Sequence, residues 1–110
     1  MNLSQKIEKL LDDKKAADIK IISIEERNAL ADYFIIASGS SSIQVKALCD
    51  HLEEELEKEE IRPRHIEGYN EATWILMDYG DVIVHIFYRE TREFYSLEDI
   101  WTKTNEMKGE

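Results

Sequence analysis

Residues Trp74 to Tyr88 read W-I-L-M-D-Y-G-D-V-I-V-H-I-F-Y. Ile75-Leu76-Met77 leads into a polar interruption, Asp78-Tyr79-Gly80-Asp81, and Val82 to Phe87 leads out of it. Gly80 has no Cβ and takes positive φ without penalty, as a tight hairpin turn requires. The two arms are rich in β-branched and aromatic residues, which fit a pleated surface. The stretch therefore reads as a β-hairpin. Both arms are apolar at almost every position, so both faces need cover. The hairpin belongs inside a sheet rather than on the surface.

The preceding residues supply that cover. Leu3, Ile7, Leu10 and Leu11 share one face at helical spacing, which predicts a helix over 3–15, capped by Asn2 with Gln5 in the reciprocal position. Ala16-Ala17-Asp18 breaks the pattern, and Ile19 to Ile24 reads as a first strand. Glu25 to Ala31 is a charged, solvated connection. Tyr33 to Ser38 is a second buried strand, closed by Gly39-Ser40-Ser41-Ser42. Ser41 to Gln44 fits a capping box that opens a long helix to about Glu60. Val45, Leu48, Cys49, Leu52 and Leu56 form its apolar stripe, and the acidic residues between Asp50 and Glu60 mark a solvated face. Pro63 cannot continue the helix, and His65-Ile66-Glu67 reads as a short strand. Strand, helix and strand from Tyr33 to Asp78 predict a βαβ unit. After the hairpin, Ser96 to Asp99 is a further capping box, opening a short helix through Trp101. Residues 102–110 hold little that is apolar beyond Met107 and are expected to fray. The class is α/β (α+β), a mixed sheet of about five strands flanked by helices.

At 110 residues the chain is one domain, and 43% hydrophobic with 35% charged residues describes a globular protein. No apolar run approaches the roughly 20 residues needed to span a bilayer. The N-terminus lacks the basic-then-apolar order of a secretory signal. Cys49 is the single cysteine, which rules out an internal disulfide and points to a cytoplasmic setting. The formal charge is −10, from 14 basic and 24 acidic residues. Nucleic-acid binding usually leaves a basic footprint, so no direct sequence-specific nucleic-acid contact is expected. Acidity serves solubility and favours basic docking surfaces.

Signals for catalysis are weak. His51, His65 and His85 are not at metal-ligand spacing with one another or with Cys49, and no metal, cofactor or catalytic residue is expected. His85, mid-strand among apolar residues, reads as a satisfied core histidine, and Cys49 as a small buried hydrophobe. Gly39-Ser40-Ser41-Ser42 lies where backbone N–H groups could face an anion. It lacks the G-x-x-x-x-G-K pattern of a P-loop, and helix capping accounts for its serines. A Gly-Ser pair also opens a helix in nucleotidyltransferases, which then need two or three clustered carboxylates to hold metal ions. The candidates here, Asp78 and Asp81, flank one tight turn rather than sharing a strand face, and turn stabilisation explains them. A divergent nucleotidyltransferase using Gly39, Ser40, Asp78 and Asp81 is the alternative enzyme reading. Saturating nucleotide would then raise the melting temperature. Trp74, Asp78, Tyr79 and Asp81 each have a plain core or turn role. As a group they place aromatics and acids together, as suits docking on a basic partner. Tyr95 and Trp101 add nearby aromatics.

Three segments carry a family resemblance. Ala31 to Gly39 (A-D-Y-F-I-I-A-S-G), with the serines before the long helix, resembles the first signature of the ribosomal silencing factor family, also called Iojap-like. Trp74 to Phe87 resembles the second. Arg89 to Glu93, then Tyr95-Ser96-Leu97-Glu98-Asp99-Ile100-Trp101, is similar to the closing segment. The resemblance implies a single domain over 1–101 with a nucleotidyltransferase-like fold that lacks the catalytic carboxylates. It also implies a non-enzyme that binds the large ribosomal subunit through universal large-subunit ribosomal protein fourteen. Such a protein blocks joining of the small subunit, represses translation and assists large-subunit biogenesis. Trp74, Asp78, Tyr79 and Asp81, with Tyr95 secondary, are the expected docking surface. Asp32 joins them because it precedes the strand expected beside the hairpin. An exposed sheet edge would also invite a homodimer.

Overall fold

Both faces of the Trp74–Tyr88 hairpin are covered, each by a different helical layer. The computed structural model describes residues 2–24 and 31–108, so most of the predicted 25–31 connection lies outside the described residues. Helix α1 (Leu3–Asp13) opens with the predicted capping box: the Asn2 side chain accepts the Gln5 N–H, and Gln5 Oε1 accepts the Asn2 N–H. Strand β1 (Ala17–Ser23) starts at Ala17 rather than Ile19, because a bulge between Ala17 and Lys20 absorbs the polar break. Asp18 takes φ +48° there. The Arg92 guanidinium braces it, donating to the Asp18 carbonyl and to Ser38 Oγ, each at 2.7 Å.

Strand β2 (Tyr33–Gly39), helix α2 (Ser42–Glu57) and strands β3 (His65–Glu67), β4 (Trp74–Asp78) and β5 (Val82–Tyr88) follow. The single turn α3 (Arg89–Arg92) and helix α4 (Leu97–Lys108) complete the chain. The sheet order is β1-β2-β5-β4-β3, so β5 is central, as its apolar content requires. β2 and β5 are parallel, from Tyr33 opposite Val82 to Gly39 opposite Tyr88, and the other pairs are antiparallel.

The expected βαβ unit is present in split form: β3 runs parallel to β2 but two strands away, and β4, which ends at Asp78, is antiparallel to both. After α2 the chain returns as β3 at the far edge of the sheet, and the hairpin folds back into the gap. The tight turn forces β5 antiparallel to β4, and β5, with the longer apolar run, takes the place beside β2. Helix α2 also stops short of Glu60. Glu60 takes φ +62° and the Ile61 N–H reaches back to the Leu56 carbonyl, turning the chain before Pro63.

Alternation along the strands sends Ile35, Ala37, Ile75, Met77, Val84 and Ile86 to one face, under α1 and α2. The whole α2 stripe from Val45 to Leu56 is buried there. Each of its leucines contributes on the order of 1.5–3 kcal/mol by burial. Phe34, Ile36, Leu76, Ile83 and Phe87 line the other face under Ile100 of α4, with Trp74 and Trp101 at the margin. Helix α4 runs to Lys108, longer than the short helix expected through Trp101. Thr104 is buried against the sheet, and Lys103 Nζ lies 3.0 Å from Glu67 Oε1 on β3. These polar contacts anchor the segment. No helix among the described residues is long and apolar enough to cross a membrane.

Candidate functional site

The hairpin turn is built by Asp78 and Gly80. Asp78 Oδ1 accepts the Gly80 N–H at 2.7 Å, Gly80 takes φ +87°, and the Tyr79 N–H donates to the Val82 carbonyl. Asp78 and Tyr79 are both buried. The Tyr79 ring joins the α2-side core, and burial, with Glu53 and Cys49 adding, pushes its hydroxyl pKa well above the usual range. These two expected docking residues therefore serve the turn and the core. Asp81 is exposed, and its carbonyl accepts the N–H groups of Asp32 and Tyr33 at 2.8 and 3.1 Å. Asp32, also exposed, thus stands beside Asp81, as the neighbouring-strand expectation requires.

Trp74 is at the other end of β4. It pairs with Phe87 while Asp78 pairs with Ile83, and four strand steps of about 3.3 Å separate them. The expected single cluster is thus two: an acidic tip of Asp32 and Asp81, and an aromatic patch around Trp74. The Trp74 indole clusters with Phe87, stacked at 4.8 Å, and Tyr95, tilted at 4.6 Å, and those two rings also meet at 6.1 Å. Tyr95 is 42% exposed, and the α3–α4 connection and the start of α4 also present Phe94 at 81% and Leu97 at 49%. Sequence reading missed Phe94 and Leu97. The available signal was their position on either side of the Ser96 cap, outside any core periodicity. An open cavity of about 600 Å³ adjoins the patch, walled by Trp74, Tyr95 and the 68–71 loop. At its edge Lys103 holds the Glu67 carboxyl below the usual carboxylate range.

His85 is fully buried beneath this patch. Its Nδ1 accepts the Trp74 indole N–H at 2.9 Å, and its Nε2 lies 3.1 Å from Thr104 Oγ1. Burial lowers its pKa to about 3, so the ring is neutral. The expectation of a satisfied core histidine holds, with Trp74 and Thr104 as its partners.

Gly39, Ser40 and Asp78 of the enzyme alternative have structural roles. A Cβ at Gly39 would lie 2.9 Å from Val45 Cγ2, so glycine lets α2 pack closely on β2. Ser41 Oγ accepts the Gln44 N–H, making Ser41 the N-cap as expected. The box is not reciprocal, because Gln44 Oε1 takes the N–H and hydroxyl of Ser40 instead, at 2.6 and 2.8 Å. Those groups face the helix's own side chain rather than an anion. Among the described residues no group of three or more His, Cys, Asp or Glu is arranged to hold a metal ion. Burial, with Glu53 and Asp50 adding, raises the Cys49 thiol to about 12, which leaves it inert.

The chain matches the family described as "Ribosomal silencing factor during starvation" over residues 1–110. The chain belongs to the ribosomal silencing factor family. It is 40% identical over 90 residues to ribosomal silencing factor RsfS of Bacillus subtilis, covering 82% of this chain and 76% of that protein. A crystal structure of a Bacillus halodurans protein superposes with a TM-score of 0.80 at 36% identity, covering 90% and 92% of the two chains. A mouse protein named "Mitochondrial assembly of ribosomal large subunit protein 1" is 33% identical over 96 residues, covering 84% of this chain and 42% of the mouse protein. In this silencing-factor domain the exposed candidates are the acidic tip and the aromatic patch.

Proposed function

We propose that this protein acts in the cytoplasm by binding the large ribosomal subunit on its inter-subunit face, through universal large-subunit ribosomal protein fourteen. Its bulk there excludes the small subunit and represses translation. The match to the silencing-factor family along the whole chain carries this reading. The name of the mouse relative points to the same subunit.

The surface chemistry suits the role. Trp74, Tyr95 and Phe94 offer the aromatic area that dominates interface energetics, and Asp32 and Asp81 select a basic partner. An interface of ordinary size, about 800 Å² per partner, spans both clusters. The mechanism is steric and needs no catalysis. A body measuring 35 × 34 × 23 Å cannot sit between surfaces that must meet at about 4 Å. Inhibition then follows occupancy, set by affinity and concentration.

Co-sedimentation with isolated large subunits, isolated small subunits and joined ribosomes tests the reading. Binding to large subunits alone is expected, with joining inhibited in proportion to occupancy. Binding to large subunits with undiminished joining would overturn the exclusion mechanism. Absence of binding to any particle would overturn the whole reading.

A further inference from the structure

We propose that His85 is a positioning residue for docking: its ring selects the orientation of the Trp74 indole and ties it to helix α4 through Thr104. The inference rests on the reading that Trp74 belongs to the docking surface. The hydrogen-bond chain has a forced direction. An indole nitrogen only donates, so His85 Nδ1 must be the acceptor of the 2.9 Å bond from Trp74 Nε1. Nε2 then carries the ring proton and faces Thr104 Oγ1 at 3.1 Å. The Thr104 hydroxyl in turn donates to the Ile100 carbonyl at 2.9 Å. The tautomer follows from the network rather than from a seen hydrogen, and it leaves each polar hydrogen with one acceptor.

Stacking cannot replace this bond. Phe87 stacks on the Trp74 ring, and Tyr95, itself 6.1 Å from Phe87, packs against it at a tilt. A half-turn about the Cβ–Cγ bond returns the indole to the same plane with its two edges exchanged, and ring packing alone does not choose between the two orientations. The N–H to Nδ1 bond distinguishes the two. The His85 ring is in turn packed edge-on against Phe34 at 5.5 Å and has no exposed surface, so it gives a fixed reference point. Leucine would satisfy the packing at position 85 but could neither accept from Trp74 nor donate to Thr104. A pre-set indole binds without the loss of side-chain freedom that a mobile one incurs, an effect of up to about tenfold in affinity.

The first test uses the unaltered protein. The Trp74 indole N–H, assigned by its disappearance in Trp74→Phe, is expected downfield of a free indole and slow to exchange with solvent. A free-indole shift with fast exchange would overturn the proposal. The second test compares variants. His85→Asn keeps an acceptor near Nδ1, His85→Leu keeps none, and Thr104→Val removes only the α4 link. The indole resonance is expected to move to the free-indole position in His85→Leu and to stay near its original position in His85→Asn. Affinity for large subunits is expected to fall about tenfold in His85→Leu and to be largely restored in His85→Asn. Equal affinity and an unmoved indole resonance in a folded His85→Leu would overturn the proposal. Unchanged affinity in Trp74→Ala would instead overturn the docking role of Trp74, whatever the spectra report.

Discussion

Gly68 lies against the backbone of Trp74: a Cβ on Gly68 would sit 2.2 Å from the Trp74 carbonyl oxygen. Gly68 also has φ +83°, a region costly to side chains. Gly80 at the hairpin turn has a similar φ of +87°, but its Cβ would meet the Arg64 guanidinium at 3.2 Å. That contact is the far end of a flexible side chain and can move. Gly80→Ala is therefore expected to cost about 1–2 kcal/mol from backbone strain alone. Gly68→Ala is expected to cost clearly more, because β4 itself must shift. Urea unfolding of both variants checks the order, and equal costs would mean that the Gly68 loop yields freely.

The fold was legible where local chemistry sets it. The hairpin, the Asn2–Gln5 box, the Ser96–Asp99 box and the α2 stripe all follow from short spacings, and all are present. The pairing of β2 with β5 is set by competition among apolar strands far apart in sequence, which spacing does not encode. The candidate site was half legible. Asp32 beside Asp81 followed from strand adjacency, but Trp74 and Asp78 are separated by the length of β4. Tyr79 was misplaced because an aromatic in a turn looks exposed, whereas this one is buried in the α2-side core near Cys49 and Glu53. The continuation of α4 depends on Thr104, whose role is a hydrogen bond invisible to hydropathy.

Tyr79 offers a stability test of that placement. Its hydroxyl is buried and has no hydrogen-bond partner among the described residues. A buried polar group without a partner costs about 1–3 kcal/mol of desolvation. Tyr79→Phe removes the oxygen and keeps the ring, so the variant is expected to be as stable as the parent or up to about 1 kcal/mol more stable. A loss of more than 1 kcal/mol in denaturant unfolding would show that the hydroxyl is bonded.

His85 predicts an acid sensitivity of known sign. Its folded pKa is about 3, below the unfolded value of about 6.5. Between these values the unfolded chain binds the proton and the folded chain does not, so stability rises with pH. The contribution is fully present above about pH 6.5 and is lost as pH falls towards 3. Integration gives a loss of about 2 kcal/mol on going from pH 7.5 to pH 5. His85→Asn removes the titrating group while other groups titrate as before. The wild type is therefore expected to lose about 2 kcal/mol more than the variant over this interval in urea unfolding. Equal losses would mean that the ring takes up its proton without unfolding.

The acidic tip and the aromatic patch should separate by salt dependence. Asp32 and Asp81 are exposed, and the bond linking their segments is between backbone groups. Asp32→Lys with Asp81→Lys therefore leaves the turn bonded and is expected to leave the melting temperature within a few degrees. The double reversal moves the net charge from −10 to −6, since each exchange adds two charges. Exposed charges act on encounter more than on the bound state. Association with large subunits is thus expected to slow about tenfold at low salt, with dissociation nearly unchanged. The difference should shrink as ionic strength rises, because the screening length falls from about 30 Å at 0.01 M to about 8 Å at 0.15 M. Trp74→Ala removes buried contact area instead, and is expected to speed dissociation at every salt concentration. Association rates measured by surface-immobilised subunits over this salt range read both effects. A folded double reversal that associates at the parental rate in 0.01 M salt would remove Asp32 and Asp81 from the docking surface and leave the aromatic patch as its centre.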